Sequence, residues 1–133
     1  MRYPFSVVRK SFRHSLNLID SWSVPHFLLG TLIAMLTVVF AFPPLPLFFV
    51  TLAVAVLWEF FEMFVGIRET KMNVVSDILM PLLAYVVTLW LLGAPGMTHE
   101  HQVALLTVTI IFYSLTSYAA WQARFSEDPD FLG

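Results

Sequence analysis

The sequence predicts an all-α, polytopic membrane protein, with four transmembrane helices in an antiparallel bundle and an N-terminal interfacial amphipathic helix. The first observation is composition. Of the 133 residues, 59% are hydrophobic and 12% are charged, against about 45–50% and about 25% in soluble domains. A chain this short cannot hide so much apolar surface in one water-soluble core. The second observation is that the apolar residues form four runs of bilayer-spanning length. Together they argue against a soluble globular enzyme and against a disordered chain.

The first element, residues 1–22, lacks the continuous apolar core of a cleaved signal peptide. Apolar side chains instead recur at steps of three and four, and basic residues interrupt them. The apolar positions are Phe5, Val8, Phe12, Leu16 and Ile19, and the basic ones are Arg2, Arg9, Lys10 and Arg13. This pattern predicts an amphipathic helix that lies in the headgroup layer. A short solvated leader is the alternative.

The four predicted spans cover residues 23–42, 46–66, 74–93 and 103–121. Each contains about 20 mostly apolar residues, which is the length that crosses the hydrocarbon core of a bilayer. The connections between them are short, so neighbouring helices should pack antiparallel. The last segment, residues 122–133, is predicted to be an acidic cytoplasmic tail.

The distribution of basic residues predicts the orientation. With four spans, the N-terminus, the connection at 67–73 and the C-terminus share one side of the membrane, and all seven Lys and Arg residues fall there. Because short basic segments stay cytoplasmic, we expect both termini inside the cell. The net charge of −2 provides no basic field for nucleic acid, so membrane lipids are the expected partners. The chain has no Cys, which excludes disulfides and thiolate-bound metals.

Seven polar residues in or beside the first three spans gather near the same membrane face. They are Asp20, His26, Glu59, Glu62, Arg68, Asn73 and Asp77. A charge at mid-span costs about 2.5–3.5 kcal/mol, and less near the edge, so such residues normally face the bundle interior or a wet cavity. We therefore expect a ligand-binding cavity, open to the cytoplasm and walled by spans one to three.

Some of these residues also have purely structural explanations. Asp77 follows Asn73, a good N-cap, and an acid in the first turn of a helix is favoured by the helix dipole. The pair Glu59 and Glu62 is harder to explain, because it lies near a helix C-terminus, where the dipole disfavours anions. A proton, Arg68, a metal or a cationic ligand must compensate. The structural alternative is an ion-pair network with Arg68 that orders the bundle.

The order of these residues, over about 20–85, resembles the VanZ-like group of small bacterial membrane proteins. Members of that group carry an acid and a His at the start of one span, then Glu-x-x-Gln, an Arg and an Asp. The similar positions here are Asp20, His26, Glu59, Glu62 in place of Gln, Arg68 and Asp77. The resemblance implies a bacterial inner-membrane location and a role in the cell envelope.

Three functions remain open at this point. The first is a protein that binds a polar ligand, such as a lipid headgroup or envelope intermediate, and needs no cofactor. The second is a membrane-embedded enzyme that holds a divalent metal, since carboxylate and imidazole ligands suit Mn, Fe, Zn or Mg. Its metal ligands would be His26, Glu59, Glu62 and Asp77. The third is an accessory or structural subunit that binds other membrane subunits.

Overall fold

The structure is a computed structural model that describes residues 22–67, 69–93 and 95–127. The described residues form four helices: α1 is Ser23–Val39, α2 is Pro44–Phe64, α3 is Lys71–Leu92 and α4 is His99–Glu127. No strand occurs among them, so the predicted all-α class is confirmed. The predicted interfacial helix over residues 1–22 lies outside the described residues, apart from Trp22.

Three of the helices are long and apolar enough to cross a membrane, namely α2, α3 and the part of α4 that covers His99–Ser126. In each of them less than a third of the apolar window is buried inside the protein, so the outward faces are largely hydrophobic. Exposed apolar surface on this scale is typical of contact with lipid. α1 is shorter, with 17 residues, and it spans about 25 Å at 1.5 Å per residue.

The helices begin and end at residues that differ from the predicted spans, because local capping interactions determine where each helix stops and starts. α1 ends at Val39 because Ala41 takes a positive φ of 53° and the N–H of Phe42 donates to the carbonyl of Thr37 at 2.9 Å. Such a reversed residue closes a helix end. α2 begins at Pro44, since proline at the first helical position sacrifices no hydrogen bond.

At the start of α3, Thr70 is the N-cap, and its hydroxyl accepts from the N–H of Asn73 at 3.2 Å. Asn73 therefore lies inside the helix, and the expected cap role falls to Thr70. α4 begins at His99, where a loop was expected, and it continues six residues past the predicted end at 121. The helix thus includes the first part of the predicted acidic tail.

α1 is the central helix, because it packs against each of the other three, and α3 also packs against α2. Gly30 on α1 lies directly against the backbone of Pro81 on α3. A Cβ atom on Gly30 would lie 1.9 Å from the Pro81 carbonyl oxygen, so only glycine fits. Two small residues one turn further along these helices, Ala34 on α1 and Ala84 on α3, are also buried. This backbone contact sets the spacing of the two helices where the site forms.

Candidate functional site

Five of the seven predicted site residues lie in the described part of the chain, and all five are buried. Their exposed fractions run from 1% to 6%, and they are His26, Glu59, Glu62, Asn73 and Asp77. Arg68 and Asp20 lie outside the described residues. Three helices supply the buried set: the first turn of α1, the last two turns of α2 and the first two turns of α3.

His26, Glu59 and Asp77 form one compact group, which we call the mixed triad. Each comes from a different helix, and one potential ligand atom from each lies within 4.8 Å of the other two. The tight packing of α1 on α3 explains the approach, because His26 and Asp77 each lie four residues before the contact between Gly30 and Pro81. One turn separates residues four apart on a helix. The backbone contact therefore brings the imidazole and the carboxylate together.

Glu59, Glu62 and Glu69 form a second group, which we call the acidic triad, and their carboxylate oxygens also lie within 4.8 Å of one another. Glu59 belongs to both triads. Glu69 was absent from the predicted set, although it lies in the same connection as Arg68 and Asn73. The sequence contains one signal for it, because Glu69, Asn73 and Asp77 follow at steps of four. Such spacing brings side chains to one side of a helix, and Glu69 lies one residue before the N-cap Thr70.

Asn73 connects the two triads through its side-chain amide. The Nδ2 group donates to a carboxylate oxygen of Glu69 at 2.5 Å and to Oδ2 of Asp77 at 2.9 Å. The Oδ1 atom of the same amide is buried and has no hydrogen-bond partner among the described residues. Hydrogen bonds from a neutral group orient carboxylates that bind a metal. Asn73 thus orients two acids through the nitrogen of its amide.

Arg124, in the last turn of α4, reaches the edge of the acidic triad. Its Nη2 atom lies 3.1 Å from Oε1 of Glu69, and its guanidinium lies 5.4 Å from the centre of the Trp22 ring. Arg124 was absent from the predicted set, because it lies in the segment predicted to be an acidic tail. The sequence does contain a signal for Arg124, because this basic residue lies only three positions after Trp121, at the end of an apolar run.

Three tryptophans adjoin the site. Trp22, Trp58 and Trp121 pack against one another, with ring centres 5.0 to 6.4 Å apart. The His26 ring lies edge-on to Trp58 at 6.4 Å. The indole N–H of Trp58 is buried and has no hydrogen-bond partner among the described residues. An aromatic wall limits the access of water and lowers the local dielectric, which strengthens electrostatic interactions beside it.

The donor atoms and their separations suit a divalent cation. A Zn–N or Zn–O bond measures about 2.0–2.2 Å, so two ligand atoms of one tetrahedral ion lie about 3.3–3.6 Å apart. The ligand atoms of the mixed triad all lie within 4.8 Å of one another, so small side-chain movements would bring them onto one ion. One imidazole with two carboxylates is a ligand set that Zn, Fe and Mn accept. The residues present therefore fit a metal ion.

Comparison with known proteins adds no relative, since no protein-family model, curated protein or solved structure matches the chain. The similarity to the VanZ-like group stays a prediction.

Proposed function

We propose that this protein is a small multi-pass membrane protein that binds a divalent metal ion between His26, Glu59 and Asp77. One observation carries the proposal. An imidazole and two carboxylates from three different helices bring their ligand atoms within 4.8 Å, and each side chain is at most 4% exposed. Gathering anions away from water is costly, because like charges repel strongly at low dielectric. A cation bound between them offsets that cost.

The surroundings favour a metal ion over a purely structural network. Asn73 is neutral, and it donates to acids of both triads, which is how ligating carboxylates are normally oriented. The mixed donor set suits Zn²⁺, Fe²⁺ or Mn²⁺ better than Ca²⁺, since imidazole is a poor ligand for hard cations. A bound Zn²⁺ ion would act there as a Lewis acid.

We also propose that α1 to α4 cross the membrane as an antiparallel bundle, with the site near the cytoplasmic face of a bacterial inner membrane. Support comes from the position of the site in each helix. It uses the beginning of α1, the end of α2, the beginning of α3 and the end of α4. Helices that alternate in direction bring these ends together. All the basic residues then lie on the side that the positive-inside rule assigns to the cytoplasm.

The test is metal binding by the purified full chain in detergent. After metal removal and dialysis against Zn²⁺ or Mn²⁺, the wild-type protein should retain at least one ion per chain by elemental analysis. Asp77→Asn keeps the shape of the side chain but weakens the ligand, so affinity should fall at least tenfold. Glu100→Gln is the matched control, because Glu100 is exposed in the first turn of α4. Protein that binds no metal, or equal binding by Asp77→Asn, would overturn the proposal.

A polar ligand with a phosphate group, such as a lipid headgroup or envelope intermediate, is the second candidate. Trp58 favours it, because the buried indole N–H beside His26 is a donor without a hydrogen-bond partner among the described residues. A phosphate oxygen would accept from it, and the acids would meet an amine. Mass spectrometry of lipids that copurify with the wild type and with Trp58→Phe tests this. A bound phospholipid lost only in the variant supports the candidate, and identical lipid profiles exclude it.

A further inference from the structure

The two triads differ in one respect that bears on how many ions the site holds. His26 and Asp77 belong to the mixed triad alone, and Glu62 and Glu69 belong to the acidic triad alone. The five ligand atoms do not form one mutually close set among the described residues. A single ion in the mixed triad therefore leaves Glu62 and Glu69 without a metal ion, and a single ion in the acidic triad leaves His26 and Asp77 without one.

We propose that the site holds two divalent cations, one in each triad, with the Glu59 carboxylate as the bridge between them. This inference rests on the proposed function and extends it from one ion to two. A carboxylate has two oxygens, and paired metal ions in proteins lie about 3.5–4 Å apart. Helical bundles build such carboxylate-bridged pairs from residues that face one another across the core.

Asn73 is the independent observation that points to ligands in both triads. Its amide lies between them, because Nδ2 donates to Glu69 of the acidic triad and to Asp77 of the mixed triad. Asn73 is 6% exposed, and its Oδ1 atom, on the same amide as the donating Nδ2 group, is buried without a hydrogen-bond partner among the described residues. A neutral carbonyl oxygen in that place is a ready additional ligand for a cation.

The charges of the described residues are compatible with a second ion. Glu59, Glu62, Glu69 and Asp77 carry a formal charge of −4 when ionised, and the guanidinium of Arg124, which pairs with Glu69, supplies +1. One divalent cation brings this net charge from −3 to −1, and a second brings it to +1. Neither loading leaves a large charge imbalance, which would be costly at low dielectric.

The first experiment counts ions per chain in the full-length protein loaded with Mn²⁺ or Zn²⁺. We expect two ions in the wild type, one in Glu62→Gln, one in Asp77→Asn, and the loss of both in Glu59→Gln, since only Glu59 serves both triads. Glu100→Gln should keep two. One ion in the wild type, unchanged by Glu62→Gln, would overturn the two-ion proposal and leave the single-ion function intact. No ion in the wild type would overturn both.

The second experiment needs no variant and therefore does not depend on whether the variants fold. Two Mn²⁺ ions that share a carboxylate bridge are magnetically coupled, so the electron paramagnetic resonance spectrum of the loaded wild type should show exchange-coupled lines. A spectrum of isolated Mn²⁺ at full loading would contradict the bridge. The coupled signal should grow in proportion to the second equivalent of metal added.

Discussion

The two ends of the packed helices satisfy their buried polar groups in different ways. At the end that joins α1 to α2, the Thr37 hydroxyl donates to the carbonyl of Ile33 at 2.8 Å and lies 3.3 Å from the Tyr85 hydroxyl. The Tyr85 hydroxyl in turn donates to the carbonyl of Pro44 at 2.6 Å. Neutral groups there satisfy one another. At the other end, four carboxylates and an imidazole converge.

The contrast separates buried polar groups that stabilise the fold from those that indicate a ligand. A neutral hydroxyl that finds a carbonyl completes a hydrogen bond and contributes to stability. Converging carboxylates instead raise the energy of the folded state unless a cation or protons join them. The comparison predicts that changes at the Tyr85 end alter stability alone, whereas changes at the acidic end alter metal binding. Each prediction below tests that separation.

Gly30→Ala should have the largest effect on both stability and metal binding, because both ends depend on the tight contact between α1 and α3. The new Cβ would lie 1.9 Å from the Pro81 carbonyl oxygen, which is backbone and cannot move aside alone. Overpacking typically costs about 1–3 kcal/mol, and we expect the upper part of that range. The helices must separate, so His26 and Asp77 also separate. Thermal unfolding in detergent should shift downward and metal affinity should fall at least tenfold.

Gly93→Ala is the matched control for Gly30→Ala. Gly93 has a negative φ of −74°, and its nearest contact to an added Cβ is 3.3 Å, so the change is far milder. We expect near-wild-type metal binding in this variant. Equal metal binding by Gly30→Ala and the wild type would show that the site does not depend on the spacing of α1 and α3.

Tyr85→Phe should have an intermediate effect on stability and no effect on metal binding. The change removes the hydroxyl that donates to Pro44 and leaves the ring, which packs against Ile33 and Ala34. Loss of one such hydrogen bond costs about 0.5–1.5 kcal/mol, or somewhat more where the carbonyl stays buried. Unfolding should shift downward while the number of bound ions and their affinity stay at wild-type values. A loss of metal from this variant would contradict the separation of the two ends.

Much of this arrangement could be predicted from the sequence, because hydrophobic run length and steps of three and four encode it directly. The apolar runs indicate the helices, and the same periodicity places Glu59 and Glu62 on one face and puts Asp77 in register with Pro81. Buried acids are costly in any apolar setting, so their convergence followed from the same reasoning. All three acids are buried in the structure.

Glu69 and Arg124 were missed because helix ends depend on contacts that composition does not encode. Thr70 and Asn73 are both good N-caps, and choosing Thr70 moves Asn73 into the helix and places Glu69 one residue before the cap. Likewise, the apolar run ends near Trp121, yet α4 continues to Glu127. The pairing of Arg124 with Glu69 and its contact with Trp22 accompany those extra turns.

Among the variants expected to alter metal binding, Arg124→Gln should alter it least, and in the opposite direction. The pair with Glu69 is largely buried, at 17% and 10% exposure for the two side chains, so its loss should also lower stability in the absence of metal. Removing the guanidinium frees Glu69 for a cation and withdraws a repulsive charge, so affinity in the acidic triad should rise severalfold. Lys71→Gln removes an equal charge from an exposed position on α3, and it should leave affinity nearly unchanged. Calorimetric titration of both variants with Mn²⁺ measures the difference, and weaker binding by Arg124→Gln would mean that Arg124 orients Glu69 instead of competing for it.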